Sequence, residues 1–461
     1  MTANAATKPS SASAGPLTTL AGWGSNVSGD CRYEEVESPS ELRRLLNEQL
    51  VPRGLGRSYG DPAVNSGGLV VGLTKLDRYL GFDAETGRLS CEAGVSLARI
   101  ISDFAPQGWF PMITPGTKFV TIGGCIANDI HGKAHHAQGS FSSCVDEMII
   151  LLADGSQVVA SREKNSDLFW GTFGGMGLLG IVLSATFRLR RIETTYFKQH
   201  AVKAKDLEAL LIAIDENDQR FPYSVASLDA MARGKRLGRG VLTCGDHAQL
   251  SELPARLADD PLRLDNGPLG TVPFTMPEIT LNALTSRLVN AGILYVQARS
   301  VAFNHYDGFF YPLDILHHWN RGYGRRGFTQ YQFVVPYADA LSHLRKILQT
   351  IMSSGQPPFL NILKSMGKES EGHLSFPRPG YTFAIDFPIR KGTVELLRKL
   401  DRMVLDAGGR IYLGKDSYVE PEMFRAMYPR LDEWLAVKAK YDPENHFTSD
   451  QGRRVGLIPS G

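Results

Sequence analysis

The sequence predicts an α+β protein of two domains, and three observations carry that reading. Short strand-like runs and amphipathic helices alternate from about residue 17 to 192, broken by glycine-rich loops. From 193 to 410 the strand-like runs lengthen, as in YQFVVP and TFAIDFPI, and are joined by amphipathic helices such as ALSHLRKILQTIM. With 461 residues, 43% hydrophobic and 21% charged, the chain can bury a large core without disulfides or metals.

Residues 1–16 are low in complexity, rich in Ala, Ser and Thr, and lack the apolar stretch of a signal peptide. A disordered tail is expected there. SPSELRRLL starts a helix, with Ser38 as cap, Pro39 in the first turn and Glu41 three residues after the cap. Residues 51–68 form a glycine-rich loop region, and LVVGLTKLDRYLGFDAETGRLSCEAG reads as short strands and turns. SLARIISDF places Leu97, Ile100, Ile101 and Phe104 on one helix face. MIILLADGSQVVA (148–160) is a hairpin turning at Asp154-Gly155, and GIVLSATFRLRRI (180–192) is a further strand. The stretch 250–300, rich in Pro, Leu and Gly with weak periodicity, reads as a mobile loop or lid. GGRIYLGKDSYV and YPRLDEWLAVKAKY close the chain as a strand, a loop and a helix.

Fifty Lys and Arg against 48 Asp and Glu give a net charge of +2, so nothing argues for nucleic acid. An anionic ligand would need a local basic site. The five cysteines (31, 91, 125, 144 and 244) form no CxxC pair and read as buried thiols rather than a disulfide framework or a zinc site. No run of 18 apolar residues occurs. The expected location is cytoplasmic, with peripheral contact at the inner membrane and the periplasmic side both left open.

Two glycine-rich segments carry the chemistry. RGLGRSYGD (53–61) admits a plain turn or an anion cradle, in which successive backbone N–H groups and Arg53 and Arg57 meet a pyrophosphate. It is neither a Walker A loop nor a G-x-G-x-x-G helix start. TIGGCIANDIHGKAHHAQGS (121–140) holds three histidines in six positions. His131 and His135 are spaced as on a helix face, yet Gly132 lies between them and no H-E-x-x-H is present, so metal is disfavoured. His135 and His136 read as hydrogen-bonded structural residues. With PGT (115–117) and FGGMGLLGIV (173–182), these segments form a spaced series able to wrap one elongated anionic ligand.

The pair RGxGRSYGD and TxGGxIAxDIHGKxHHxxGSF resembles the FAD-binding domain of the vanillyl-alcohol-oxidase-type flavoenzymes. Within that group it is most similar to the decaprenylphosphoryl-β-D-ribose 2-oxidase family, the oxidase half of an epimerase that supplies arabinose for cell-wall arabinan. WNRGYGRRGFTQYQFVVP, SFPRPGYTFAIDFPI and GGRIYLGKDS match in spacing as well. The resemblance implies an FAD-binding domain of 17–192 plus 411–461 and a substrate domain of 193–410 built on an antiparallel sheet. For FAD it implies Arg53, Gly54, Leu55 and Gly56, then Arg57, Ser58, Tyr59, Gly60 and Asp61. From the second segment it implies Gly116, Thr117, Thr121 and Ile122, then Gly123, Gly124, Asn128, Asp129 and His131, with Val182 and Tyr412 further on. Many members of the superfamily attach FAD covalently through a histidine in a GxGHS loop. Arg57 stands there in this chain, so non-covalent FAD is expected.

The same resemblance implies His131, Lys415, Tyr59 and Gln332 as the catalytic set. Lys415 in YLGKDS reads alone as a surface lysine or, if buried, as a base. Gln330 and Gln332 point to one face of a strand, which suits a polyol or a solvated sheet face. Lys364 and Arg321 are expected at the sugar phosphate, beside Lys415. FNHYDGFFYPLDILHHWN (303–320) admits two readings, a cover for an isoprenoid chain or a domain core. Ala384 and Thr382 stand where the mycobacterial enzymes carry cysteine and asparagine.

The expected reaction is oxidation of the ribose C2 hydroxyl of decaprenylphosphoryl-β-D-ribose to the 2-keto sugar, with hydride leaving for flavin N5. Lys415 or His131 takes the proton. An NAD(P)H-dependent reductase would be the epimerase partner, and oxygen or a quinone the electron acceptor. The alternatives are an alditol or aldonolactone oxidase acting on a soluble sugar, and a non-catalytic flavin- or lipid-binding partner.

Overall fold

Alternating burial organises the chain into three main sheets. The computed structural model describes residues 16–264, 267–299 and 302–459, so the expected tail lies outside the described residues except for Pro16. Leu17–Ala21, Ser28–Glu35, Leu69–Gly72 and Leu50–Arg53 form the first sheet in that order, with the last three strands parallel. The second is antiparallel: Tyr79–Asp83, Arg88–Glu92, Ile181–Arg191, Val145–Leu151 and Gln157–Ser161, with Trp109–Pro111 on the far end of Ile181–Arg191. The expected hairpin is its last pair, and Gly155 takes φ +81 in the turn.

The third sheet has eight antiparallel strands. Their order is Phe303–His305, Tyr196–Ala204, Gly240–His247, Tyr223–Leu228, Asn361–Met366, Gly380–Pro388, Phe328–Val335 and Arg410–Ile411. The period of two divides its residues between two environments. Ala226, Leu242, Tyr331, Phe333 and Leu363 pack in the core with Leu210, Leu344 and Leu400 of the helices Leu207–Asp218, Ala340–Ser353 and Thr393–Asp406. Their neighbours Val225, Ser227, Gln330, Gln332, Ile362 and Lys364 face a cavity on the other side.

Local elements follow their sequence signals where apolar side chains turn inward. Leu97–Phe104 is a helix that buries the four expected residues, with Ser96 Oγ accepting from Arg99 N. Pro39–Leu45 begins at Ser38, although the Ser38 hydroxyl donates to Glu41 instead of capping a backbone N–H.

The loop or lid expected over 250–300 is corrected. Ala283–Gln297 is a helix, and Asn282 fixes its start by accepting from Leu284 N and Thr285 N while Thr285 Oγ1 accepts from Asn282 N. Several of its apolar residues, Leu284, Leu288 and Val296 among them, are exposed. The aromatic run 303–320 supplies core packing and part of a cavity wall. Tyr306 and Tyr311 are buried with Phe110, Phe197 and Tyr223, while Phe309, Phe310, Leu313 and Trp319 reach the cavity wall.

Candidate active site

The cavity lies between the polar face of the eight-stranded sheet and the two glycine-rich loops. Its volume is about 1030 Å³, at the upper end of the roughly 300–1,000 Å³ of ordinary ligand pockets.

The first loop is shaped from below. The Arg53 guanidinium donates to the carbonyls of Ala21 and Ala63, both at 2.8 Å, and lies under the turn. Gly56 crosses it at φ +63, where a Cβ would overlap that guanidinium. At Gly54 a Cβ would strike Thr121 Oγ1, so the absence of side chains lets the two loops touch. Asn128 ties them together: it donates to the Gly124 carbonyl at 2.9 Å, accepts from Ser58 Oγ at 3.4 Å, and its carbonyl accepts from the Tyr412 hydroxyl at 3.2 Å.

Most of the residues expected at the cofactor line this cavity. Gly54, Leu55, Gly56, Arg57, Ser58 and Tyr59 do so from the first loop. Gly116, Thr117, Thr121, Gly123, Gly124 and Asn128 form the second wall, and His131, Val182 and Tyr412 complete it. Five expected residues stand behind the wall instead. Arg53 props the turn; Gly60 packs on the Asp416 carbonyl; Asp61 binds the Arg454 guanidinium at 2.8 and 2.9 Å. Ile122 is core, and Asp129 is fully buried, accepting from Ser140, Ser142 and Ser375. Arg321 lies outside the cavity lining as well, its guanidinium turned to the carbonyls of Val272 and Pro273.

Arg57 stacks on Trp23 at 4.0 Å, with Phe119 at 5.5 Å, and its buried Nε has no partner among the described residues. An orphaned guanidinium N–H beside a glycine cradle suits an anionic or carbonyl-bearing ligand such as FAD.

The catalytic candidates converge opposite. Lys415 Nζ sits 3.7 Å over the Tyr59 ring. Burial pulls its pKa down to about 7, opposed by Asp386 and assisted by Lys364. Gln330 donates to Asp386 at 2.6 Å and Tyr323 does so at 2.9 Å, while burial raises that carboxyl to about 6. Gln332 bridges His131 Nε2 at 2.9 Å and Thr382 Oγ1 at 3.1 Å, and the Thr382 hydroxyl donates to the Phe333 carbonyl at 2.9 Å. His131 is held well below the usual imidazole range by burial and by Lys364, His135 and Lys415. His135 Nδ1 accepts from Gly367 N at 3.1 Å, and His136 Nε2 lies 2.9 Å from the Phe221 carbonyl, so both have backbone partners away from His131.

Three lysines line the cavity. Besides Lys415, Lys364 is lowered to about 8 and Lys133 to about 7, both chiefly by burial. Lys133 donates to the carbonyls of Phe309 and Phe310 at 2.6 and 2.9 Å. Sequence reasoning passed over Lys133, whose signal is a basic residue directly after the glycine segment, and Trp23, which gives no local signal. Asp314, also missed, lines the cavity and accepts from Thr117 Oγ1 at 3.0 Å and Lys118 N at 2.8 Å.

The comparisons with known proteins agree with this geometry. Residues 32–161 match an FAD binding domain, and residues 382–455 match the D-arabinono-1,4-lactone oxidase family. The chain is 39% identical over 457 residues to a decaprenylphosphoryl-β-D-ribose oxidase of Mycolicibacterium smegmatis, covering 96% of this chain and 99% of that one. It is 22% identical over 414 residues to an L-gulono-1,4-lactone dehydrogenase of Mycobacterium tuberculosis, covering 87% and 89%. It is 28% identical over 156 residues to mouse L-gulonolactone oxidase, covering 33% and 34%. With a vanillyl-alcohol-oxidase-type fold, a glycine cradle fitted to FAD and this kinship, the chain belongs to the decaprenylphosphoryl-β-D-ribose oxidase family of FAD-dependent oxidoreductases.

Proposed function

We propose that this enzyme oxidises the C2 hydroxyl of the ribose of a polyprenyl-phosphate sugar, decaprenylphosphoryl-β-D-ribose or a close analogue, to the 2-keto sugar. The observation that carries the reading is one cavity that joins the cofactor cradle to three half-buried lysines and an apolar wall. Bound FAD supplies the two-electron acceptor for the hydride of the carbinol carbon. It is held without a covalent bond, because Arg57 occupies the attachment position of the superfamily. Lys415 takes the hydroxyl proton, since burial leaves a large share of it neutral near pH 7. His131 orients rather than accepts, because its Nε2 lone pair is already engaged by the Gln332 amide.

Lys364 and Lys133 answer the substrate phosphate, whose charge would offset the penalty of burying them. Val289, Ile293 and Val296 offer an apolar wall for the prenyl chain. The third sheet, from Tyr196 to Ile411, supports a substrate domain of 193–410 against an FAD domain of 17–192 plus 411–461. The product is a ketone that an NAD(P)H-dependent reductase can reduce with inverted stereochemistry, and oxygen or a quinone would reoxidise the enzyme. The match of 382–455 to lactone oxidases keeps a second reading, a soluble sugar lactone or alditol as substrate.

Anaerobic mixing of the holoprotein with each substrate class distinguishes them. The expected result is flavin bleaching by prenyl-phosphoribose with formation of the 2-keto sugar. Bleaching by free alditols or aldonolactones, with none by the prenyl phosphate, overturns the reading.

A further inference from the structure

The Ala283–Gln297 helix is built inside out. Its protein side is polar: Ser286 and Asn290 are buried, Ser286 Oγ donates to the Pro358 carbonyl, and Asn361 Nδ2 donates to Asn290 Oδ1 at 2.9 Å. Its outer side is apolar, with Leu284 66%, Leu288 64% and Val296 68% exposed, and Tyr295 beside them. Positions 284, 288, 291 and 295 step by three and four, the spacing of one helical stripe. Leu269, Phe274 and Ile279, which precede the helix in the chain, are exposed as well. A contiguous exposed apolar surface of this kind marks an interaction site.

Charge and continuity identify what covers it. Between Leu269 and Arg299 the only acid is Glu278, whose charge Arg326 meets at 3.4 Å, whereas Arg287 and Arg299 are exposed on the patch. Arg299 stacks its guanidinium 4.3 Å from the Tyr295 ring. A basic rim around aromatic and aliphatic side chains is the pattern of a helix lying in a headgroup layer. Val289 and Val296 are exposed outside and also line the cavity, so the apolar surface runs from the outer face into the site. A second copy of the chain would cover the stripe, but it gives no reason for that passage.

We propose that this face docks the enzyme on an anionic lipid bilayer, with the helix in the headgroup layer and the cavity mouth toward the acyl chains. The purpose of such docking rests on the polyprenyl-phosphate reading; the docking itself does not. Among the described residues no helix is long and apolar enough to cross a membrane, so attachment would be peripheral.

The test is flotation of the holoprotein with phosphatidylcholine vesicles, with and without phosphatidylglycerol. Binding is expected only with phosphatidylglycerol and is expected to weaken with salt. Leu284→Asp/Leu288→Asp, at positions outside the cavity lining, should lower the bound fraction roughly tenfold or more. That variant should leave turnover of a short-chain soluble substrate unchanged. Equal binding to neutral vesicles, or no binding to either, overturns the proposal, as does sedimentation showing a dimer that the double variant dissolves. Vesicle binding with turnover of soluble sugars alone would remove the substrate reading and leave the docking intact. Turnover of prenyl-phosphoribose in detergent without vesicle binding would do the reverse.

Discussion

Gln332 gives an amide N–H to His131 Nε2 at 2.9 Å, and that contact fixes which imidazole nitrogen carries the proton. The Thr382 hydroxyl spends its hydrogen on the Phe333 carbonyl, so it can only accept from Gln332. The Gln332 NH₂ therefore faces Thr382, and the same NH₂ faces His131. With Nε2 an acceptor, the His131 proton sits on Nδ1, which has no partner among the described residues. Thr382→Val removes the acceptor and frees the amide to turn; Thr382→Ser keeps it. We expect kcat/KM to fall about 5- to 100-fold in the valine variant, the cost of one broken buried hydrogen bond, and to return in serine. Equal loss in both variants would reduce Thr382 to a packing residue.

If Lys415 is the base proposed above, activity depends on pH in one direction. A lysine pulled down to about 7 by burial is neutral above that pH and charged below it. The sign for activity follows: kcat/KM rises as pH increases through about 7 and then levels. Lys415→Arg stays protonated and keeps the charge without the base, and should lose about 10²- to 10⁴-fold together with the rising limb. A limb that survives in the arginine variant assigns the ionisation elsewhere.

Gly56 is the sharpest test of the cradle. Its φ of +63 costs an L-residue about 1–2 kcal/mol, and a Cβ there would displace Arg53 from the carbonyls of Ala21 and Ala63. Gly56→Ala should be purified largely without FAD and require roughly tenfold more added flavin for half saturation. Unchanged flavin content would show that the turn does not shape the cofactor site.

Acid precipitation reads the Arg57 substitution directly. All yellow colour is expected in the supernatant. Colour kept in the pellet would mean that another side chain holds the flavin covalently.

Elements whose apolar residues face the core were legible in the sequence. Leu97, Ile100, Ile101 and Phe104 announce their helix because all four are buried together, and Gly155 marks its hairpin through its positive φ. The helix at 283–297 was not legible, because Val289, Ile293 and Leu294 flank the stripe of Leu284, Leu288 and Tyr295 and blur its period. At the site, the motif brought both loops to the cavity but did not say which way each side chain turns. Arg53, Asp61 and Asp129 share the motif with Arg57 and Ser58 yet work from behind the wall, and Arg321 spends its guanidinium on two carbonyls. Those directions depend on partners outside the motif, from Ala21 for Arg53 to Arg454, 393 positions on, for Asp61.

That last pairing has a bearing on biosynthesis. Leu50 N–H donates to the His446 carbonyl, Tyr59 N–H to the Gly414 carbonyl, and Asp61 waits for Arg454. The first loop of the cradle is thus clamped by residues translated almost four hundred positions later. A nascent chain still short of residue 454 lacks part of this clamp, so the loop takes its final shape only after synthesis, and a nonsense codon between 183 and 454 would yield a polypeptide that keeps the glycines of both loops without the Arg454 side of the clamp.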